Sequence, residues 1–265
     1  MKEHPTVQID ISAGGAGKGM TDVLSDMVDI AMLSREVESP EIEKGAFKIA
    51  VAKDAVVPVF NSANPYAKEI LERGIDSMSL AKIFITGEIT QWPVAGSPNL
   101  KSEEIHLFTR SDACGAATMW ASFFGKNQED LKGTGVFGDP GIADAVKNDK
   151  LGLGYNNIVY VYDNQTGKKN PGIEILPIDF NENGRIDSNE NFYSSVDRLA
   201  DAIKENKYPS PPARNLYFVT NGKPKNKAVL NFLNWVLTSG QQYIEEAGYV
   251  KLTDEILQPE LNKIR

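Results

Sequence analysis

Ala55-Val56-Val57-Pro58-Val59-Phe60 is an unbroken apolar run closed by the breakers Asn61, Asn64 and Pro65, and it reads as a strand. Its counterpart is Leu216-Tyr217-Phe218-Val219, which follows the breaker Pro209-Ser210-Pro211-Pro212. The two segments bracket the middle of the chain. Either they carry the chain into and out of an inserted domain, so that the first and last parts fold together, or they are neighbouring strands of one sheet. Outward from them, strand-like and helical runs alternate. Val7 to Ile11 alternates like a strand, after a Lys2-Glu3-His4-Pro5 segment that resembles a helix end. A glycine turn then leads into a helix through Val23, Leu24 and Met27, and Ile30 to Leu33 and Ile49 to Ala52 are short apolar runs. Ile105 to Thr109 feeds a helix at Thr118 to Phe124, whose aromatic residues read as core. Helices around Leu230 to Leu237 and Gln241 to Glu246 end the chain. The alternation predicts an α/β protein built on mostly parallel sheets.

Composition narrows the class. The 265 residues carry 28 Lys and Arg against 36 Asp and Glu, a net charge of −8, with 41% hydrophobic and 24% charged residues. That is a globular composition and not that of a disordered or fibrous chain. No apolar stretch approaches the roughly 20 residues needed to span a bilayer. No Lys/Arg block or basic segment interleaved with aromatics occurs, so the sequence points to no nucleic acid partner. The one cysteine, Cys114, can form neither an internal disulfide nor a zinc site by itself. The first eleven residues lack the apolar segment and cleavage site of a secretory signal, so a signal peptide is expected to be absent from this chain.

Two strand-to-helix junctions have the chemistry of anion sites. Ser12-Ala13-Gly14-Gly15-Ala16-Gly17-Lys18-Gly19-Met20 offers converging backbone N–H groups at a helix start, although its spacing fits neither the P-loop nor the dinucleotide fingerprint. The plainer alternative is a glycine turn for close packing. In Thr109-Arg110-Ser111-Asp112-Ala113-Cys114-Gly115-Ala116-Ala117-Thr118, Arg110 supplies a planar fork and Asp112 could hold it. Cys114, Gly115 and Ala116 then present successive N–H groups. Ser34-Arg35 lies at a third strand end, and together the three suggest a convergent oxyanion site, with a surface salt bridge as the alternative for Arg110.

These segments, with Val28-Asp29-Ile30-Ala31, Ala52 to Val59, Ile83 to Trp92 and Gly152-Leu153-Gly154-Tyr155, resemble the phosphate-binding proteins of ABC importers. The resemblance runs with gaps from about Val7 to the last helices. It implies a two-lobed, type II periplasmic-binding-protein fold with a hinge of two crossing strands: lobe I from 1–58 plus 216–265, lobe II from 59–215. It implies an extracytoplasmic protein, periplasmic or extracellular, lipid-anchored in a full-length precursor, that captures phosphate or a related oxyanion as a monomer for the importer's membrane subunits. The ligand-binding residues it marks are Gly14, Gly15, Ala16, Gly17, Ser34, Arg35, Arg110, Asp112, Cys114, Gly115 and Ala116. The chain departs from the family's Arg-x-x-x-Ser-Gly-Thr motif, with Cys114 for the serine and Ala116 for the threonine, and Gly14 falls where the first loop usually has a serine. The family's first strand and its hydroxyl-bearing anion loop would precede residue 1.

Other functions remain open at this level. A family member that has lost anion binding would act as a scaffold or sensor. A cysteine enzyme would need a base near Cys114, and only His4 and His106 exist, so no enzymatic role is expected. Independently, Asp179-Phe180-Asn181-Glu182-Asn183-Gly184-Arg185-Ile186-Asp187-Ser188-Asn189-Glu190 matches the EF-hand calcium loop. Asp179, Asn181, Asn183, Asp187 and Glu190 stand at ligand positions 1, 3, 5, 9 and 12, Arg185 offers its carbonyl at 7, and Gly184 makes the turn at 6. A strand from Ile173 to Ile178 is expected before it and a helix from Phe192 to Ile203 after it, so a lone structural calcium ion is the expected cofactor. An Asx-rich turn without metal is the alternative.

Overall fold

The computed structural model describes residues 7–94 and 101–265. His4 and the expected helix end at Lys2 to Pro5 lie outside them. The chain divides into two compact units: Met1–Ala52, Asn215–Ile244 and Lys251–Arg265 form the first, and Lys53–Arg214 with Glu245–Val250 form the second. Where the sequence suggested crossings at 58/59 and 215/216, the division falls at 52/53 and 214/215. A short return at 245–250 also belongs to the second unit.

In the first unit, Ala31–Leu33 pairs antiparallel with Ala213–Asn221, in the register Ala31 opposite Val219 and Leu33 opposite Tyr217. Ala213–Asn221 lies beside the start of the long strand Ala46–Asn61. The two-residue period of a strand sends side chains to alternate faces. Ala46, Ala50, Tyr217 and Val219 therefore join Met20 and Val23 of helix Gly15–Leu24 on one face. Ile49, Val51, Leu216 and Phe218 meet Leu233, Leu237 and Leu261, from helices Lys227–Leu237 and Asp254–Ile264, on the other. The residues from Val7 to Ile11, expected as a strand, are not one. Among the described residues they pair with no strand, and Ile9 and Ile11 are exposed. The expected helix at Gln241 to Glu246 is a short 3-10 turn, Ser239–Tyr243.

In the second unit, the end of Ala46–Asn61 pairs antiparallel with Gly152–Asn157, from Val56 opposite Asn157 to Phe60 opposite Leu153, and with Ile173–Ile175. Gly152–Asn157 runs parallel to His106–Arg110, which runs parallel to Thr134–Val136. The sheet is thus mixed, not mostly parallel. Val56, Val57, Val59 and Phe60 are fully buried, which explains a continuous apolar run where a half-exposed strand would alternate. Gly154 lets helix Gly138–Asn148 lie close on the sheet, since a Cβ there would stand 3.2 Å from Ile142 Cγ2 and 3.3 Å from Val146 Cγ2. Trp120 of helix Gly115–Phe123 is fully buried, edge-on to Phe84 at 5.2 Å and stacked on Tyr155 at 5.9 Å. The aromatic segment is core, as its sequence suggested. Among the described residues no helix is long and apolar enough to cross a membrane.

Candidate functional site

Arg110 ends the strand His106–Arg110, and helix Gly115–Phe123 begins five residues later, so a parallel strand, a tight loop and a helix start bring charge and free N–H groups together. The Arg110 side chain is only 6% exposed. Its Nε donates to Asp112 Oδ1 at 2.8 Å and one terminal nitrogen to Asp112 Oδ2 at 2.5 Å, a bidentate fork. Asp112 Oδ1 also accepts from Gly138 N at 3.1 Å. Gln128 braces the loop from the other side: its amide nitrogen donates to Asp112 O at 2.7 Å and its amide oxygen accepts from Cys114 N at 3.1 Å. Tyr155 OH accepts from Arg110 N at 3.1 Å and bonds Thr109 Oγ1 at 2.9 Å, fixing the strand end.

The remaining terminal nitrogen of Arg110 is 2.8 Å from Asp139 Oδ1. The pair is close but misaligned, so both atoms are buried without a hydrogen bond. Asp139 is positioned by its place at the start of helix Gly138–Asn148 and by Asn156 Nδ2, which donates to its carbonyl at 2.9 Å. Burial works against the Arg110 charge, but the Asp112 fork more than offsets it and raises the guanidinium above its ordinary value. Reciprocally, the hydrogen bonds from Arg110 hold the Asp112 carboxyl down at about 2. Burial pushes the Tyr155 phenol up to about 12, so it stays a neutral hydrogen-bonding group.

Cys114 is the N-cap of helix Gly115–Phe123, and its Sγ accepts from Ala117 N at 3.5 Å. A helix cannot satisfy its own first N–H groups, which leaves those of Gly115 and Ala116 as donors. Burial pushes the Cys114 thiol up, opposite to the shift a nucleophile needs. His106 sits at the far end of its strand with Nδ1 2.6 Å from Asp149 Oδ2, out of reach of Cys114.

The structure therefore gathers Arg110, Asp112, Cys114, Gly115 and Ala116 in the second unit. It adds Asp139, Gln128 and Tyr155, which the sequence reading did not single out as site residues. Asp139 was detectable in principle, because Gly138-Asp139-Pro140-Gly141 is another glycine-bearing strand-to-helix junction. In the first unit, Gly14, Gly15, Ala16 and Gly17 do open a helix, but without a side-chain cap, and Lys18 is paired with Asp22. Gly19 shows the close-packing role, a Cβ there lying 3.4 Å from Ala31 Cβ. Ser34 follows the strand Ala31–Leu33, and the Arg35 guanidinium is engaged by Glu41, with bonds of 2.9 and 2.7 Å. In the second unit, Asp179 and Glu190 are buried at the two ends of their loop, and Asn181, Asn183, Arg185 and Asp187 lie between them.

The low Asp112 value has a testable consequence. A carboxyl whose folded-state value lies below its unfolded value of about 3.9 adds stability that is complete above that pH and lost as pH falls through about 2. Urea unfolding midpoints measured from about pH 5 down to pH 2 should fall for the natural protein and fall less steeply for Asp112→Asn. Equal slopes would show that the fork does not stabilise the folded state.

Comparison with known proteins places the fold. A family model described as a PBP superfamily domain matches residues 1–239. A phosphate-binding protein PstS of Borreliella burgdorferi is 27% identical over 262 residues, covering 94% of this chain and 81% of that protein. A phosphate-binding protein PstS of Methanocaldococcus jannaschii is 25% identical over 315 residues, covering 99% and 80%. The fold is similar to that of a putative phosphate ABC transporter substrate-binding protein with bound phosphate from Clostridium perfringens. There the TM-score is 0.73 at 18% identity, over 95% of this chain and 90% of that one. It is also similar to an ABC-type phosphate transport receptor from Vibrio cholerae, with a TM-score of 0.70 at 18% identity over 95% and 91%. With a family model spanning most of its length over this mixed α/β architecture, the chain belongs to the PBP superfamily.

Proposed function

We propose that this protein is an extracytoplasmic substrate-binding protein that captures phosphate, or an oxyanion of the same shape and protonation, and delivers it to the membrane subunits of an ABC importer. The observation that carries the reading is the cluster in the second unit: a buried Arg110, forked by Asp112 and ion-paired to Asp139 at 2.8 Å without hydrogen-bond alignment, beside the helix start at Gly115. A misaligned ion pair forgoes its hydrogen bond, and a ligand that parts it, supplying an acceptor to Arg110 and a donor to Asp139, gives one to each. Hydrogen phosphate has that pair of groups, an ionised oxygen for Arg110 and a hydroxyl for Asp139. Sulfate has no hydroxyl at neutral pH. The names of the similar proteins point the same way.

The N–H groups of Gly115 and Ala116 add donors at the helix start, where the helix dipole favours an anion. Cys114 and Ala116 stand where the family pattern has hydroxyls, so more of the binding rests on Arg110 and backbone. The reading includes a monomeric chain working in the periplasm or outside the cell, tethered by a lipid on the precursor. The same two substitutions favour the second reading, a family member that has ceased to bind anions and serves as a scaffold or sensor.

Calorimetric titration with phosphate and sulfate at neutral pH separates them. Phosphate should bind about tenfold to a hundredfold more tightly than sulfate, the factor expected for one charged acceptor left unpaired. No heat with either anion, or with molybdate and tungstate, would favour the scaffold. Equal binding of sulfate would remove the role given to Asp139.

A further inference from the structure

We propose that the loop from Asp179 to Glu190 binds one calcium ion, which fastens the segment around Ile75 to the rest of the second unit. The carboxylates at its first and last positions, Asp179 and Glu190, are each only 3% exposed. Among the described residues neither forms an ion pair. The nearest cation in the sequence, Arg185, is 72% exposed and turned to Asp187 at 3.0 Å. Two buried carboxylates without a cation are an unfavourable arrangement, which a bound divalent ion would relieve.

The rest of the loop is shaped for that ion. Asp179 accepts from Asn183 N at 3.3 Å and Gly184 N at 2.8 Å, which wraps the chain around its carboxylate. Gly184 supplies the left-handed turn at φ 78°. The amides of Asn181 and Asn183 both reach Asp187 Oδ2, at 3.1 and 2.8 Å, so three of the expected side-chain ligands already converge. Glu190 accepts from Phe180 N and Asn181 N at 2.9 and 3.1 Å, and among the described residues no three acidic, His or Cys side chains stand together as a ready metal group. Ion binding therefore draws the Glu190 carboxylate from these N–H groups to the metal. A mixed set of carboxylates, carboxamides, one carbonyl and water suits calcium, which accepts six to eight oxygens in flexible geometry, better than magnesium.

The loop also explains what the ion would do. Ile186 N donates to Glu72 O at 2.9 Å. The strands Ile178–Asp179 and Ile75–Asp76 pair over two residues only. Gly74, at φ 66°, accepts the Ile186 side chain so closely that a Cβ would lie 2.4 Å from Ile186 Cδ1. A strand pair this short is marginal alone. The structure differs from a paired EF-hand sensor on both sides: a strand enters the loop, and the exiting helix starts only at Val196, after the Ser195 cap, and not at Phe192 as expected.

The proposal stands independently of phosphate and is tested on the full chain, stripped with chelator and dialysed. Calcium chloride should titrate calorimetrically to one ion per chain and raise the thermal midpoint, with magnesium chloride binding more weakly. Glu190→Gln should weaken calcium about tenfold or more while leaving phosphate affinity unchanged. Asp187→Asn, at a side chain 30% exposed, should weaken calcium less and keeps the test open if Glu190→Gln fails to fold. A folded, stripped protein that takes up no calcium would overturn the proposal. So would magnesium binding as tightly as calcium, or the folded variants binding calcium as the natural protein does.

Discussion

Arg110→Ala is expected to weaken phosphate binding about thirtyfold to several thousandfold, the range for truncating one partner of a buried, hydrogen-bonded charge pair. The size follows from what surrounds the guanidinium. It is the only cation that Asp112 and Asp139 contact among the described residues. Its removal leaves two carboxylates facing the position where an anion would sit, so the site changes from attractive to repulsive. Arg110→Lys keeps the charge but loses the planar fork, and should fall between the two. The measurement is calorimetry at neutral pH, with circular dichroism to confirm that each variant is folded. Unchanged affinity in folded Arg110→Ala would remove the anion site from this loop.

Arg214→Met should destabilise the fold by about 3 to 5 kcal/mol, read as the loss in urea unfolding free energy at neutral pH. Arg214 and Asp54 have side chains only 3% and 4% exposed and meet at 3.0 Å, and the same guanidinium nitrogen donates to Asn157 Oδ1 at 2.6 Å. Asp54 also accepts from Ala55 N at 2.8 Å. Burial pushes the Asp54 carboxyl up and the Arg214 charge pulls it down, so without Arg214 the hydrogen bond from Ala55 N is left alone against burial. The remaining two guanidinium nitrogens of Arg214 are buried without hydrogen bonds, so the pair is imperfectly satisfied. A double variant, Arg214→Met with Asp54→Leu, should therefore recover most of the loss, because two apolar groups often replace a buried ion pair at little cost. A double variant that stays as unstable as Arg214→Met would show the pair to be worth more than its desolvation.

The same ion pair explains a limit of the sequence reading. Ile49 to Ala52 and Ala55 to Phe60 read as separate apolar runs because Lys53-Asp54 interrupts them. The structure has one strand, Ala46–Asn61, since Asp54 is neutralised by Arg214 and the Lys53 backbone bonds Val250. Local polarity shows no partner 160 residues away. The opposite error occurs at Val7 to Ile11, where alternation is present but, among the described residues, no strand pairs with it. Arg110, Asp112 and the helix start were legible because they lie within a few residues of one another and their chemistry is local. Asp139 was legible only as part of another such junction, and its place beside Arg110 was not, because that depends on the pairing of His106–Arg110 with Thr134–Val136, which delivers Gly138 N to within 3.1 Å of Asp112 Oδ1.

The close approach at Gly154 has an evolutionary side. The helix that rests on it carries Asp139 in its first turn, so an alanine at this strand position would make Ile142 and Val146 yield by a few tenths of an ångström. That is too little to undo a core and enough to disturb a contact that depends on alignment. On the proposed reading, selection for which anion is carried can thus act through a missing methyl group in the core, with every residue of the proposed site left as it is.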